Sequence, residues 1–136
     1  MQLGSRLLLS RYMAETLIYV DDNLSRLATM DARLRLLGYE VLLASSGSEA
    51  LRIFAANPVD LAIVDYYMPG MNGDLVAMEM KTMKPAVPVI IFSGTFTLSE
   101  MVIALVDGFV STSDEPEALL NKICEVLQPR RAARAS

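Results

Sequence analysis

Asp65 ends an apolar run, Leu61-Ala62-Ile63-Val64, and is followed by Tyr66-Tyr67-Met68-Pro69-Gly70-Met71-Asn72-Gly73, so a single carboxylate stands where a buried strand breaks into a Pro/Gly loop. A second acidic feature, Asp21-Asp22, closes another apolar run, Thr16-Leu17-Ile18-Tyr19-Val20. Carboxylates gathered from two strand ends raise one another's pKa and repel, so a cluster of them is stable in its ionised form only beside a cation. Hard oxygen ligands suit Mg²⁺, which keeps several waters and takes one or two carboxylates from a protein. A carboxylate beside that ion can attack a phosphoryl group and form an acyl phosphate. Asp65 is the expected nucleophile, Asp22 the expected direct metal ligand, and Asp21 a ligand either directly or through metal-bound water. Ser93-Gly94, at the end of a further apolar run, adds a hydroxyl able to donate to a phosphoryl oxygen. Each feature alone has a plainer meaning as a turn or helix cap. Their placement at equivalent strand ends is what favours a site.

The elements that must position these groups follow from the pattern of the chain. Short β-branched runs alternate with amphipathic helical stretches, the pattern of a parallel sheet covered on both faces. Strands are expected over residues 16–20, 40–44, 60–64, 87–92 and 108–111. Leu24, Leu27, Met30, Leu34 and Leu37 recur at helical spacing and stop at Gly38, a residue suited to a helix C-terminus. A second helix starts at Ser46-Gly47-Ser48-Glu49 and ends before Pro58, and a third runs from Gly73 to the residues before Pro85. The five methionines between Met68 and Met83 read as adaptable packing. A last helix begins at Ser113-Asp114-Glu115-Pro116 and reaches about Gln128. Residues 95–107 could line a short helix but are nearly all apolar, so that stretch is expected to be either unusually buried or partly exposed as a contact surface.

Composition narrows the function. The 136 residues, 53% of them hydrophobic, fit one domain, expected over residues 15–128. A formal charge of −4 argues against a nucleic-acid surface, although Arg130, Arg131 and Arg134 make the end locally basic, and residues 129–136 are expected to form a disordered tail. The single cysteine, Cys124, forms no internal disulfide, which suits a reducing cytoplasm. With no histidine, His-type zinc sites and Ser-His or Cys-His catalysis are excluded. Residues 1–14 hold only a three-leucine block, too short for a signal-peptide core or membrane span, and read as a flexible or non-native extension with Met13 as an alternative start.

Val20-Asp21-Asp22-Asn23, the segment from Val64 to Gly73, Pro88-Val89-Ile90-Ile91-Phe92-Ser93-Gly94 and Asp107-Gly108-Phe109-Val110 together resemble the receiver domain of bacterial two-component response regulators. The resemblance covers roughly residues 16–128. It implies an α/β, flavodoxin-like three-layer sandwich with a five-stranded parallel sheet in order 2-1-3-4-5. It also implies phosphoryl transfer from a sensor histidine kinase or phosphotransfer protein to Asp65, with Mg²⁺ held by Asp22, Asp65 and the main-chain carbonyl of Tyr67. Ser93 would follow the phosphoryl group, and Phe109 would be the rotating aromatic or simple core filling. The family's usual lysine after the fifth strand, which reaches into the acidic cluster, is replaced by Thr112. Against the family's usual spacing, the fourth helix is expected to be shortened. Lys81, Lys84 and Lys122 are the nearest substitutes, and none is expected to reach.

The leading expectation is a single-domain receiver, not a turnover enzyme, that passes information by docking to a downstream protein. The alternative is a degenerate receiver serving as a phosphorylation-independent interaction or dimerisation module. An aspartate-nucleophile phosphohydrolase would want a second acid two residues beyond Asp65, where Tyr67 stands.

Overall fold

The computed structural model describes residues 14–94, 99–111 and 116–135. Thr112, the cap at Ser113 to Glu115, most of the N-terminal extension and residues 95–98 lie outside them. Five strands, β1 (Thr16–Val20), β2 (Glu40–Ala44), β3 (Leu61–Asp65), β4 (Val89–Ser93) and β5 (Gly108–Ser111), alternate with α1 (Leu24–Leu36), α2 (Gly47–Ala56), α3 (Gly73–Met83), α4 (Glu100–Leu105) and α5 (Pro116–Ala135). The strands form one sheet, all neighbours parallel, in the order β2-β1-β3-β4-β5. The expected flavodoxin-like architecture is therefore the observed one.

Because β1, β3 and β4 are buried on both faces, they read as continuous apolar runs, and the alternation of side chains divides them between two cores. Ile18, Val20, Ala62, Val64, Val89 and Ile91 pack with Phe54 of α2, Val76 and Met80 of α3 and Val102 of α4. Leu17, Tyr19, Leu61, Ile63, Ile90 and Phe92 face the other way, against Leu34 of α1 and Leu119, Ile123 and Leu127 of α5.

Local signals set the helix ends. Asn23 caps α1, its side chain accepting from the Arg26 amide at 3.0 Å. Gly38, at φ 94°, carries the chain out of α1 in the left-handed region that glycine tolerates. Ser46 caps α2, and Glu49 reaches back to the Ser45 amide at 2.9 Å. Gly73 opens α3 so close to the end of β3 that a β-carbon there would lie 2.8 Å from Cα of Tyr66, with the Asp65 carbonyl nearer still. A glycine is needed at that crossing.

Two regions differ from the sequence expectation. β3 and β4 start later than expected, at Leu61 and Val89, and each runs on to a polar last residue, Asp65 and Ser93, because parallel pairing continues past the apolar run. The second difference is larger. Residues 129–135 are not a disordered tail but the last turns of α5. Pro129 removes one helical hydrogen bond, and fixed partners for the arginines beyond it offset that loss. The Arg131 fork spans both oxygens of Glu15 at 2.7 and 3.0 Å, Arg130 donates to the Asp60 carbonyl at 2.6 Å, and Arg134 pairs with the Asp60 carboxylate at 2.7 Å. The α4 helix is six residues long, as short as its apolar stretch suggested. Among the described residues no helix is long and apolar enough to cross a membrane.

Glu15 is nearly buried, so removing its partner leaves a carboxylate poorly solvated. Arg131→Ala is expected to cost about 1–2 kcal/mol and to lower the melting temperature followed by circular dichroism by several degrees. An unchanged melting temperature would show that the end of α5 contributes nothing to the fold.

Candidate functional site

Parallel pairing sets Val20 of β1 beside Val64 of β3, so the next residues, Asp21 and Asp65, emerge side by side at the carboxyl edge of the sheet. Both continue the alternation that turns Leu17, Tyr19, Leu61 and Ile63 toward α1 and α5. This is also where strand order reverses, since β1 is followed by β2 on one side and β3 lies on the other. Asp22 begins the turn into α1. One oxygen from each of Asp21, Asp22 and Asp65 lies within 4.8 Å of the others.

The three carboxylates are not equivalent. Asp22 is exposed, Asp65 is 5% exposed and Asp21 is wholly buried. Asp21 survives burial because four donors surround it: the Tyr19 hydroxyl at 3.0 Å, the Asn23 amide at 2.9 Å, and two nitrogens of the Arg26 fork at 2.7 and 3.0 Å. A carboxylate offers about four acceptor positions, so Asp21 is saturated. Asp22 and Asp65 keep the freer oxygens.

Asp65 receives less support. The Arg26 guanidinium reaches it at 3.4 Å and the Tyr67 amide donates to it. Burial first, then the neighbouring charge of Asp21, outweigh that help and push its carboxyl up to about 7. The Tyr19 phenol is driven well above its usual range, by burial and then by Asp21. Hydrogen bonding to Asp21 raises Arg26 further and keeps it a permanent cation.

A hard divalent cation fits this donor set. All of it is oxygen, it carries surplus negative charge, and its oxygens lie within 4.8 Å of one another, near enough to share one ion. Asp22 and Asp65 would hold the ion, with Asp21 behind them.

The remaining expected positions divide by face and by height on the sheet. Ser93 is fully buried at the same carboxyl edge, one residue beyond the Asp65–Phe92 pairing. Phe109 is half-buried against the core shared by α2, α3 and α4, on the opposite side of the sheet from Asp65. The three lysines are engaged elsewhere: Lys81 with Asp107 at 2.9 Å, Lys84 with the Phe54 and Asn57 carbonyls at 2.7 Å, and Lys122 with Glu125 at 3.0 Å. The group that sequence reading missed is Arg26. Its signal was a cation in the first turn of α1, the end where a helix dipole disfavours positive charge, four residues after the acidic pair.

Asp65 holds a proton in the folded protein up to about pH 7, whereas the unfolded chain releases it near the ordinary value of about 3.9. Between those values the folded state binds the extra proton, so this group makes the metal-free protein less stable as pH rises. Asp65→Asn is therefore expected to raise the melting temperature by several degrees at pH 8 and by little at pH 5, both in chelator. An equal shift at the two pH values would mean that Asp65 ionises normally.

A family model described as the response regulator receiver domain matches residues 17–123. Among curated proteins, the transcriptional regulatory protein GlrR of Escherichia coli is 34% identical over 115 residues, covering 82% of this chain and 26% of GlrR. The autoinducer 1 sensor kinase/phosphatase LuxN of Vibrio campbellii is 32% identical over 122 residues, covering 88% of this chain and 14% of LuxN. The chain thus spans about a quarter of the first relative and less of the second. Among solved structures, the response regulator TrrA of Thermotoga maritima, in complex with Mg²⁺ and BeF, superposes with a TM-score of 0.78 at 29% identity, covering 83% of this chain and 99% of that one. A CheY-like receiver domain from Methanospirillum hungatei gives a TM-score of 0.80 at 24% identity, with 88% and 98% covered.

Proposed function

The chain belongs to the response regulator receiver domain family, and from that premise we propose that it accepts a phosphoryl group on Asp65 from a histidine kinase or phosphotransfer protein. The observation that carries this reading is the in-register meeting of Asp21 and Asp65, with Asp22 completing an all-oxygen cluster around the least stabilised carboxylate. An Asp65 oxygen attacks phosphorus of a phosphohistidine, the P–N bond breaks with its electron pair remaining on the imidazole nitrogen, and an acyl phosphate results. Mg²⁺, when bound, supplies positive charge against the charge developing on the transferred group. Asp22 and Asp65 bind that ion, the Tyr67 main-chain carbonyl is the proposed third protein ligand, and Asp21 fixes the charge behind them. Ser93 stands at the edge where a hydroxyl can donate to a phosphoryl oxygen.

The protein in this reading is a cytoplasmic phosphoacceptor that assists its own modification, not a turnover enzyme. Its output is docking to a downstream protein. The TrrA complex with Mg²⁺ and BeF supports the reading by showing such a group on a relative of the same fold.

Incubation with radiolabelled acetyl phosphate and Mg²⁺ is expected to label the wild type, with the label lost in chelator and in Asp65→Ala. Labelling that persists in Asp65→Ala, or wild-type protein that stays unlabelled while an ordinary receiver reacts, would sink the assignment.

A further inference from the structure

Arg26 leaves the first turn of α1 and inserts its guanidinium between the two buried carboxylates of the site. Nε meets Asp21 Oδ2 at 2.7 Å, and one terminal nitrogen meets Asp21 Oδ1 at 3.0 Å and Asp65 Oδ2 at 3.4 Å. The guanidinium carbon also sits over the Phe92 ring, 5.8 Å from its centroid, while Phe92 stacks on Tyr19. We propose that Arg26 is the cation that contacts the phosphoryl group carried by Asp65, in place of a lysine at position 112. The proposal deepens the phosphoacceptor reading and rests on it.

The donor count carries the argument. That terminal nitrogen has two N–H groups. One is committed to Asp21 at an ordinary distance; the other points toward Asp65 at the long limit of a hydrogen bond. When an Asp65 oxygen bonds to phosphorus, the non-bridging oxygens spread around that carboxylate and take the second N–H as a stronger, charge-assisted partner. Nothing else has to move, because Nε and the first N–H stay on Asp21. A cation already held in position costs little reorganisation when it meets charge on a transferring group. A planar fork serves two acceptors at once, which an ammonium on a flexible stem does less well.

The ammonium groups of Lys81, Lys84 and Lys122 are held by the partners described above, and Arg26 forms the ion pair recorded for Asp65 among the described residues. The same geometry has a cost that identifies it. A fixed positive charge inside the acidic cluster opposes a metal ion there, so Arg26 is expected to weaken Mg²⁺ binding while strengthening the hold on an anionic phosphoryl group.

Calorimetric titration separates these effects in wild type, Arg26→Ala and Arg26→Gln, first with Mg²⁺ and then with beryllofluoride at saturating Mg²⁺. Both variants are expected to bind Mg²⁺ at least as tightly as the wild type and beryllofluoride at least tenfold more weakly. Arg26→Gln keeps a donor for Asp21 and so tests the charge even if Arg26→Ala proves unstable. Beryllofluoride affinity unchanged in both variants overturns the proposal, and so does a parallel loss of Mg²⁺ and beryllofluoride affinity, which would mark Arg26 as a structural brace. A wild type that binds Mg²⁺ but no beryllofluoride overturns the phosphoacceptor reading itself, and this proposal with it.

Discussion

Everything at the carboxyl edge of the sheet depends on the register between β1 and β3. Pairing of Val20 with Val64 forces the two following aspartates into adjacent positions, on one face, at the point where strand order reverses. A shift of one residue would turn one of them to the opposite face. The register is in turn held by the fit of both strands to two different cores, since slipping would exchange the faces and drive Leu17 and Tyr19 into the space packed around Ile18 and Val20. The packing that stabilises the domain is thus what maintains an electrostatically unfavourable cluster.

The cluster divides the burden unequally. Asp21 is buried and satisfied four times over, so it acts as a fixed negative charge. Asp65 lies beside that charge with fewer donors and keeps its proton to about pH 7. A carboxylate that the protein itself leaves poorly stabilised gains most from a bound cation and from conversion to an acyl phosphate. Asp22, exposed at the rim, can meet an ion from solvent. Asp65 differs from both neighbours in being buried without a full set of donors.

The opposite end of the sheet is built for permanence. There Lys81, Asp107 and the Val89 amide lock α3 to the start of β4, and Arg131 closes over Glu15 just before β1. These pairs are partly shielded and mutually satisfied. The fold therefore has an amino edge tied together by ion pairs between distant elements and a carboxyl edge that gathers three carboxylates around Arg26.

Much of this was legible in the chain. Apolar runs ending in Asp21-Asp22 and Asp65, glycines at 38 and 73 and the serine cap at 46 each carry a local physical meaning, so strand number, the limits of the first three helices and the acidic candidates follow from spacing. The fate of the charged side chains did not follow, because long cations choose partners across the fold. Arg131 and Glu15 are 116 residues apart and were invisible as a pair, which is why the end of α5 read as a loose tail. Arg26 is a charged residue of α1 whose partners no local spacing names, and the sheet register is what sets two buried carboxylates within reach of its guanidinium. Sequence alone determined which residues could do chemistry, through residue type and short-range periodicity. Only the tertiary structure decided which charge neutralises which, because that depends on distances set by the packing of distant elements.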